Sequence, residues 1–372
     1  MNARRTRAMA RKEWIQLKRD PRSMILAFVL PLFLLLFFGY AIKFDVDDLR
    51  LVVVDDDRTQ ASRALVEAFV SSGYFTVEEH LASSAGADES LLRGRVRGVL
   101  RVPAGYAADL AARRGAPVQL LLDGSDANTA TIAQNYADAI VSRHGLGIVA
   151  QGRTLEPPLR IEPRTWYNPD LESRHMIVPA LIAVIMSIIA AMLTALTIAR
   201  EWERGTMEQL AATPVGRFEV IAGKLLPYLL IGLFDVALTV VAGRIIFDTP
   251  LNGSVVLLGF MTLLFLVGAL ALGIFISAAV KSQVLATQIA MVATYLPAVL
   301  LSGFLFDIAS MPAALKGVTY LIPARYFVTV TRGIFLKGVG MEVLWPQAVF
   351  MAVYAALGLA LATRAFRKEL PT

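Results

Sequence analysis

The sequence predicts a polytopic α-helical membrane protein with six transmembrane helices and an α/β extracytoplasmic domain between helices 1 and 2. Three observations predict this fold class. Hydrophobic residues make up 56% of the 372 residues and charged residues only 18%, which is too apolar for an ordinary soluble protein. Long charge-free stretches recur along the chain. Acidic residues, in contrast, concentrate in residues 44–175, which hold 19 Asp and Glu against 14 Arg and no Lys.

The candidate spans are stretches that lack charge and are long enough to cross about 30 Å of hydrocarbon at ~1.5 Å per residue. They are residues 23–42, 176–199, 249–280, 282–306 and 343–363, with a sixth at 225–247 that is interrupted only by Asp235 and Arg244. A cleaved signal peptide is the alternative for the first stretch. Six spans place both termini on the same side of the membrane.

Positive charge sets the expected orientation. Eight Lys and Arg within the first 22 residues put the N-terminus in the cytoplasm by the positive-inside rule. We therefore expect a multi-pass protein of the cell inner (plasma) membrane with cytoplasmic N- and C-termini. One segment disagrees, because Lys316, Arg325, Arg332 and Lys337 fall on the predicted outer side. The separation of acidic and basic segments indicates two compartments and argues against nucleic-acid binding.

The predicted organisation has five parts. Residues 1–22 form a cytoplasmic amphipathic interface helix, because Ala10, Trp14 and Leu17 share one helical face suited to the inner leaflet. The other parts are transmembrane helix 1 (23–43), the extracytoplasmic domain (44–175), transmembrane helices 2–6 (176–363) and a cytoplasmic tail (364–372). Between helices 2 and 3 lies a charged segment, residues 200–224, which we call the elbow.

The acidic segment is predicted to form a small α/β domain. Four strand-like runs, "LRLVVVDD", "YFTVEE", "VRGVLRVP" and "VQLLLDG", alternate with helical stretches. Asp55, Asp56 and Asp57, and the "DGSDAN" stretch, have oxygen spacing that permits cation binding, but the calcium-loop pattern is missing, which favours turns and helix caps. The three histidines are scattered and there is no cysteine, so no metal site is predicted.

No catalytic or nucleotide-binding motif stands out. "AGKLL" (222–226) resembles the end of a phosphate-binding loop, yet Phe218 stands where the first Gly belongs and Leu225 where Ser or Thr should follow the Lys. We therefore expect that this chain binds no ATP by itself.

The elbow contains four basic and four acidic residues on a short segment. Thr206 and Gln209 fit a capping box, and Thr213 is placed to cap a second helix that begins at Pro214. Such a surface suits docking to a soluble partner. The alternative is a solvated connector with local ion pairs, each contributing about 0.2–0.5 kcal/mol.

Several motifs resemble one known family. "ERGTMEQLAATPV", followed by "GKLLPY", looks like the cytoplasmic signature of ABC type-2 (type V) export permeases, in the large-periplasmic-loop multidrug efflux branch. "RKEWIQLKRDPRSMILAFVLPLFLLLFFGYAI" resembles the N-terminal helix and first span of that family. "LPAVLLSGFLFDIASMPAALKGVTYLIPARYFVTVTRGIFLKG" resembles its outer hairpin, although Asp307 stands where the family pattern has Pro. The resemblance covers nearly the whole chain.

The resemblance implies a transporter permease subunit of an ATP-binding cassette exporter, not an enzyme. It would move an amphiphilic or hydrophobic, drug-like molecule out of the cytoplasm or inner leaflet. A second permease subunit, identical or related, would complete the pathway, and a separate ATPase subunit would bind and hydrolyse ATP with Mg²⁺. In Gram-negative relatives a periplasmic adaptor and an outer-membrane channel often complete the route. The residues implied in coupling to the ATPase subunit are Trp14, Arg200, Glu201, Trp202, Glu203, Arg204, Gly205, Thr206, Glu208, Thr213 and Pro214.

Two further sets of residues are predicted to matter within the membrane. A lone carboxylate at Asp235 costs roughly 2.5–3.5 kcal/mol at mid-bilayer, so it should face the bundle interior or a wet pathway, or be protonated. Ser302 and Gly303, with Met311 and Pro312, bracket a break after the fifth span. We expect residues 303–340 to form a re-entrant outer segment and these four residues to belong to an outer gate; a surface loop is the alternative.

Two other functions remain open from the residues alone. A proton-coupled transporter needs titratable groups along its spans, and only Asp235 qualifies among the acidic residues. A membrane-anchored receptor or scaffold would use the α/β domain as its working part and bind a partner there.

Overall fold

The computed structural model describes residues 2–42, 48–81, 84–112, 114–125, 127–149, 167–168 and 172–366. The chain divides into two compact units. One unit combines Met1–Lys43 with Thr165–Thr372 and is helical, and the other, Phe44–Arg164, is the α/β unit. The predicted C-terminal tail falls largely outside the described residues.

The helical unit begins with α1 (Ala3–Lys18) and α2 (Pro21–Met24), which continues through the π-helical turn Ile25–Val29 into α3 (Leu30–Ala41). In the α/β unit, chain order is β1 (Leu49–Asp55), α4 (Gln60–Val70), β2 (Phe75–Leu81), α5 (Ser84–Leu92), β3 (Gly98–Val102), α6 (Tyr106–Ala111), β4 (Gln119–Leu122) and α7 (Ala127–Val149). The helical unit then resumes with α8 (Ser173–Glu203), α9 (Met207–Ala211), α10 (Arg217–Ile246), α11 (Val255–Val280), α12 (Gln283–Leu301), α13 (Ala313–Thr319), α14 (Pro323–Arg332) and α15 (Met341–Ala365).

Five described helices are long and apolar enough to cross a membrane: α8, α10, α11, α12 and α15. They match five of the predicted stretches. The first predicted span corresponds to a shorter apolar helix, Ile25–Ala41. Several apolar helices are therefore present, and the count of six spans remains a prediction.

Helix α8 lies at the centre of the helical unit and is almost entirely buried along its apolar stretch. Small and hydroxyl side chains let α11 approach it closely. A Cβ at Gly273 would stand 2.3 Å from the carbonyl oxygen of Ala191. The Thr194 hydroxyl donates a hydrogen bond to the Leu270 carbonyl oxygen at 2.9 Å, which crosses between the two helices. Close contact between small residues is how helices associate where water offers no driving force.

The α/β unit contains a four-stranded sheet in the order β2-β1-β3-β4. β1 pairs in parallel with β2 and β3, whereas β3 and β4 are antiparallel. Both faces of β1 are buried, since Leu51 and Val53 pack on one face, with α4, and Val52 and Val54 pack on the other, with α5. The four predicted strands and the four helices that alternate with them are all present.

Asp57, just after β1, caps the start of α6 and supports the cap of α4. The Asp57 carboxylate accepts hydrogen bonds from the backbone N–H groups of Gly105 (2.8 Å) and Ala107 (3.1 Å), at the start of α6. It also accepts one from the Thr59 hydroxyl at 2.6 Å, and Thr59 in turn caps α4. Among the described residues no group of acidic or histidine side chains could hold a metal ion. The contacts favour the capping interpretation over cation binding.

We expect Asp57→Asn to loosen the first turns of α4 and α6 at neutral pH. The Thr59 hydroxyl and the N–H groups of α6 hold the pKa of Asp57 below its usual 3.8. A depressed folded-state pKa gives a stabilisation that is present above 3.8 and lost as pH falls through the folded-state pKa. Hydrogen–deuterium exchange should therefore be faster in the variant at neutral pH and equal to wild type well below pH 3.8. Asp138→Asn, at an exposed position of α7, is the control. A difference that persists at low pH would contradict the prediction.

Candidate coupling surface and hairpin segment

Helix α1 packs along α10 on a face that shares only Leu17 with the face predicted to lie on the inner leaflet. Its buried residues are Thr6, Met9, Glu13 and Leu17, while Trp14 is 37% exposed. Gly223 of α10 makes the close approach possible, because a Cβ there would stand 2.5 Å from the Met9 Cβ. The glycine of the "AGKLL" fragment thus serves helix packing.

A buried group of charges joins α1, α8 and α10. Lys224 has no exposed surface, and its ammonium lies 2.6 Å from a Glu13 carboxylate oxygen and 3.0 Å from one of Glu201. Lys12 approaches the same Glu201 oxygen at 2.6 Å. We call Lys12, Glu13, Glu201 and Lys224 the charge cluster. Glu13 and Lys224 are 211 positions apart, so the cluster holds together parts of the chain that are remote in sequence.

Arg200 makes a second ion pair beside the charge cluster. Its guanidinium lies 2.7 Å from an Asp20 carboxylate oxygen, and Ser23 donates a hydrogen bond to that same oxygen at 2.7 Å. Arg200 and Glu201 are 6% and 2% exposed. They were predicted as surface docking residues, but the structure places them inside the protein. Any part they play in coupling is therefore through these internal contacts.

Glu203 and Trp202 connect the end of α8 to the start of α12. The Glu203 carboxylate accepts hydrogen bonds from the backbone N–H of Gln283, at 2.7 Å, and from its side-chain amide. The ammonium of Lys281 lies 4.3 Å from the centre of the Trp202 ring. Gly205, with φ of +69°, then turns the chain toward α9.

The predicted caps of the elbow are wrong in detail. Thr206 does precede α9, but its hydroxyl donates to the Glu201 carbonyl oxygen at 3.4 Å and forms no capping box. The Thr213 hydroxyl donates to the Leu210 carbonyl oxygen, and the next helix begins at Arg217 instead of Pro214. Glu219 caps that helix, since its carboxylate accepts from the Gly216 N–H at 3.0 Å.

Buried Met207 and Leu210 hold α9 against the helical unit. Other parts of the elbow are exposed, and they contain the predicted coupling residues Arg204, Gly205, Glu208, Thr213 and Pro214. Gln209 and Phe218, which the sequence analysis did not connect with coupling, are exposed as well. We call Arg204, Glu208, Gln209 and Phe218 the elbow surface. Arg5 of α1 reaches its edge and donates to the Pro214 carbonyl oxygen at 2.5 Å.

Asp235 lies inside the helical unit, as expected for a carboxylate within a span. It is 1% exposed, and neither carboxylate oxygen has a hydrogen-bond partner among the described residues. One turn away, Gly232 packs against Leu266 of α11. Arg244 is exposed near the end of α10. The four predicted gate residues lie far along the chain from Asp235, at the hairpin segment.

The hairpin segment, residues 303–340, begins where α12 stops. Ser302 is buried and its hydroxyl oxygen accepts from the Phe304 N–H at 3.2 Å, and Gly303 turns the chain with φ of +83°. Asp307, which departs from the family pattern, accepts from the Ala309 N–H and so supports a short 3₁₀ turn. Met311 is half-buried and Pro312 exposed, just before α13.

Arg332 is a residue whose role the sequence analysis missed. Its guanidinium donates to the carbonyl oxygens of Gly303 (2.8 Å), Phe304 (3.2 Å) and Met176 (3.3 Å). The side chain therefore joins the break after α12 to the start of α8. The only sequence signal was that Arg332 contradicted the positive-inside rule.

These features define a helical membrane permease with a charged elbow and a broken hairpin. The chain matches the family model described as ABC-2 family transporter protein over residues 21–364, and it belongs to that family. It is 37% identical over 362 residues to the probable multidrug ABC transporter permease YbhS of Escherichia coli (strain K12), covering 96% of this chain and 95% of the relative. It is 28% identical to the probable multidrug ABC transporter permease YbhR of the same strain, covering 97% and 98%.

A third relative is the inner membrane transport permease YhhJ of Escherichia coli (strain K12), 26% identical over 87% of this chain and 86% of the relative. The chain is therefore a multi-pass membrane protein and a permease subunit of an ABC exporter, not an enzyme. Membership of this family implies an ATPase partner and a dimer.

Proposed function

We propose that the chain exports an amphiphilic or hydrophobic, drug-like molecule from the cytoplasm or inner leaflet, using ATP and Mg²⁺ bound by a separate subunit. The supporting observation is that the elbow contains exposed residues, Arg204 and Glu208, and buried ones, Glu201 and Lys224, that belong to the charge cluster. A push on the elbow surface would pass through Glu201 and Lys224 to α1, α8 and α10. Through Glu203 and Gln283 it would also reach α12.

The proposal includes six spans, cytoplasmic termini and an extracytoplasmic position for the α/β unit. The eight basic residues at the N-terminus support this orientation. The elbow then faces the cytoplasm, where the ATPase subunit is, and the hairpin segment faces outward, where Ser302, Gly303, Met311 and Pro312 would belong to a gate. A periplasmic adaptor and an outer-membrane channel would extend the route beyond the inner membrane.

We expect the charge reversal Arg204→Glu with Glu208→Lys to weaken binding of the ATPase subunit at least tenfold. Both side chains are exposed on the elbow surface, so the folded chain should be unaffected while complementarity with a partner is lost. A tenfold loss corresponds to about 1.4 kcal/mol. The measurement is co-purification with the ATPase subunit, together with the ATPase rate of the complex.

The matched control is Arg50→Glu with Glu78→Arg in the α/β unit, an exposed ion pair at 3.2 Å. This control also reverses two exposed charges, but in the α/β unit instead of the elbow. If the elbow variant assembles with the ATPase subunit and hydrolyses ATP at the wild-type rate, the elbow surface is not where that subunit binds.

A further inference from the structure

A cavity of about 260 Å³ lies within the helical unit, between α8, α11, α12, α14 and α15. We propose that this cavity binds the exported compound as a neutral, ring-bearing molecule that donates a hydrogen bond. The inference rests on the proposed export function and names the site and chemical class of its substrate. None of the thirteen lining residues is charged.

Aromatic side chains form fixed walls of the cavity. Phe265 is 1% exposed and stacks on Phe327 of α14, with ring centres 4.2 Å apart. Tyr354 of α15 lies against Gly268, where a Cβ would stand 2.3 Å from its ring. Rings held in this way favour a flat aromatic or alicyclic ligand. The volume is near the lower end of the range of about 300–1,000 Å³ for ligand sites, so the ligand portion it holds is small.

The polar atoms of the lining are mainly hydrogen-bond acceptors. Pro297 has no N–H, so the Ala293 carbonyl one turn earlier loses its helical donor, and both residues line the cavity. Ser187 and Thr294 donate their hydroxyl hydrogens to the carbonyls of Ala183 and Ala290, which leaves only lone pairs for a ligand. Tyr354 adds one phenol. A compound with an O–H or N–H group satisfies these acceptors.

The cavity can be reached from the side and is bounded by the hairpin segment. Ala293 is exposed on α12, and Leu321, at the turn before α14, is 78% exposed. The stretch from Leu321 to Ala324 forms part of the wall. A compound dissolved in the lipid would therefore enter beside α12, and movement of the hairpin would release it. A lipid acyl chain is the competing occupant, but it offers no donor to the carbonyl of Ala293.

The absence of cysteine from the sequence permits a direct test. Ala293→Cys places a single thiol at the cavity, and Val292→Cys places one on the neighbouring position, which is 60% exposed and does not line it. Each variant is purified with its ATPase subunit in lipid nanodiscs and labelled with N-ethylmaleimide. The probes are N-phenyl-1-naphthylamine, which has one N–H donor, and 1-benzylnaphthalene, in which a methylene replaces that N–H.

We expect N-phenyl-1-naphthylamine to slow labelling of Ala293→Cys at least fivefold and that of Val292→Cys less than twofold. The methylene analogue should need at least tenfold higher concentration for the same protection. Equal protection of both thiols, or of neither, overturns the site. If the two probes are equally potent, the cavity binds any apolar molecule, lipid included. That result overturns the proposed chemical class.

The ATPase rate of the same samples keeps the two proposals separate. An assembled, active complex with an unprotected Ala293→Cys thiol overturns the cavity inference and leaves the export function standing. Loss of the ATPase subunit with protection intact contradicts the proposed export function and leaves the cavity only as a binding site for the probe. A second experiment uses Thr294→Cys as the labelled thiol. Adding Ala293→Phe fills the mouth of the cavity from an exposed position and should abolish protection by the probe. Adding Val292→Phe instead should leave protection unchanged.

Discussion

Lys224→Met is expected to lower the stability of the helical unit by about 3–5 kcal/mol, because it leaves the buried carboxylates of Glu13 and Glu201 without their shared cation. Lys12, which is 44% exposed at its side chain, would remain to pair with Glu201 alone. The measurement is the thermal midpoint of the purified chain, with the yield of ATPase-bound complex as a second readout. A loss of this size is a large part of the net stability of a protein.

Two further variants decide whether charge is the reason. Adding Glu13→Gln to Lys224→Met removes one unpaired carboxylate and should recover part of the loss, since the penalty arises from uncompensated charge. Lys18→Met removes an exposed lysine from α1, the helix that carries Glu13, and should change the midpoint little. Equal midpoints for Lys224→Met and Lys18→Met would show that the charge cluster contributes no stability.

Gly223→Ala is expected to push α1 away from α10, at a cost of about 1–3 kcal/mol. The added Cβ would stand 2.5 Å from the Met9 Cβ and 3.1 Å from the Thr6 carbonyl oxygen, distances that the two backbones must increase. Displacement of α1 also lengthens the Glu13–Lys224 contact. Limited trypsin digestion measures the effect, because α1 contains several Arg and a displaced helix is cleaved sooner.

Gly259→Ala is the matched control in α11, where a Cβ would meet no atom within 4 Å. Helix propensity alone favours Ala over Gly by roughly 1 kcal/mol, so the control should be neutral or stabilising. Gly223→Ala, in contrast, is predicted to be destabilising. A Gly223→Ala variant as resistant to trypsin as wild type would mean that α1 is not packed closely on α10.

The membrane class and most helix positions could be predicted because they depend on local composition. Charge-free runs long enough to span lipid are visible in any window, and the four strands of the α/β unit alternate with helices as local patterns indicate. The turn after β1 could be only partly predicted. The Asp57 carboxylate accepts a hydrogen bond from the Gly105 N–H, 48 positions further along the chain, and no local sequence pattern predicts that contact.

The packing of α1 on α10 could not be predicted from amphipathicity. Apolarity pointed to a leaflet-facing stripe of Ala10, Trp14 and Leu17, and it gave no sign that a face with Glu13 packs on α10, where Lys224 offsets its charge. A polar residue on an interior face looks like a surface residue until its partner is known. The signal that could have helped was Lys224 itself, a lone charge at the start of an apolar stretch.

The elbow shows the same limit at the level of the site. Eight charged residues in the sequence look alike, but Arg200, Glu201 and Lys224 are interior and Arg204 and Glu208 are exposed. Burial separates residues that hold the permease together from residues that a partner can touch. Sequence spacing located the elbow, and only the packing of α1 against it distinguished the two sets.

The position of Arg332 restricts how α8 and α12 can move. One guanidinium holds carbonyl groups from the break after α12 and from the first turn of α8, so separating these parts breaks either the bond to Met176 or the two bonds to Gly303 and Phe304. At the opposite end of α8, Glu203 holds the start of α12. Hydrogen bonds therefore connect α8 and α12 near both of their ends. A transport cycle that preserves these bonds must rotate the two helices as one rigid body.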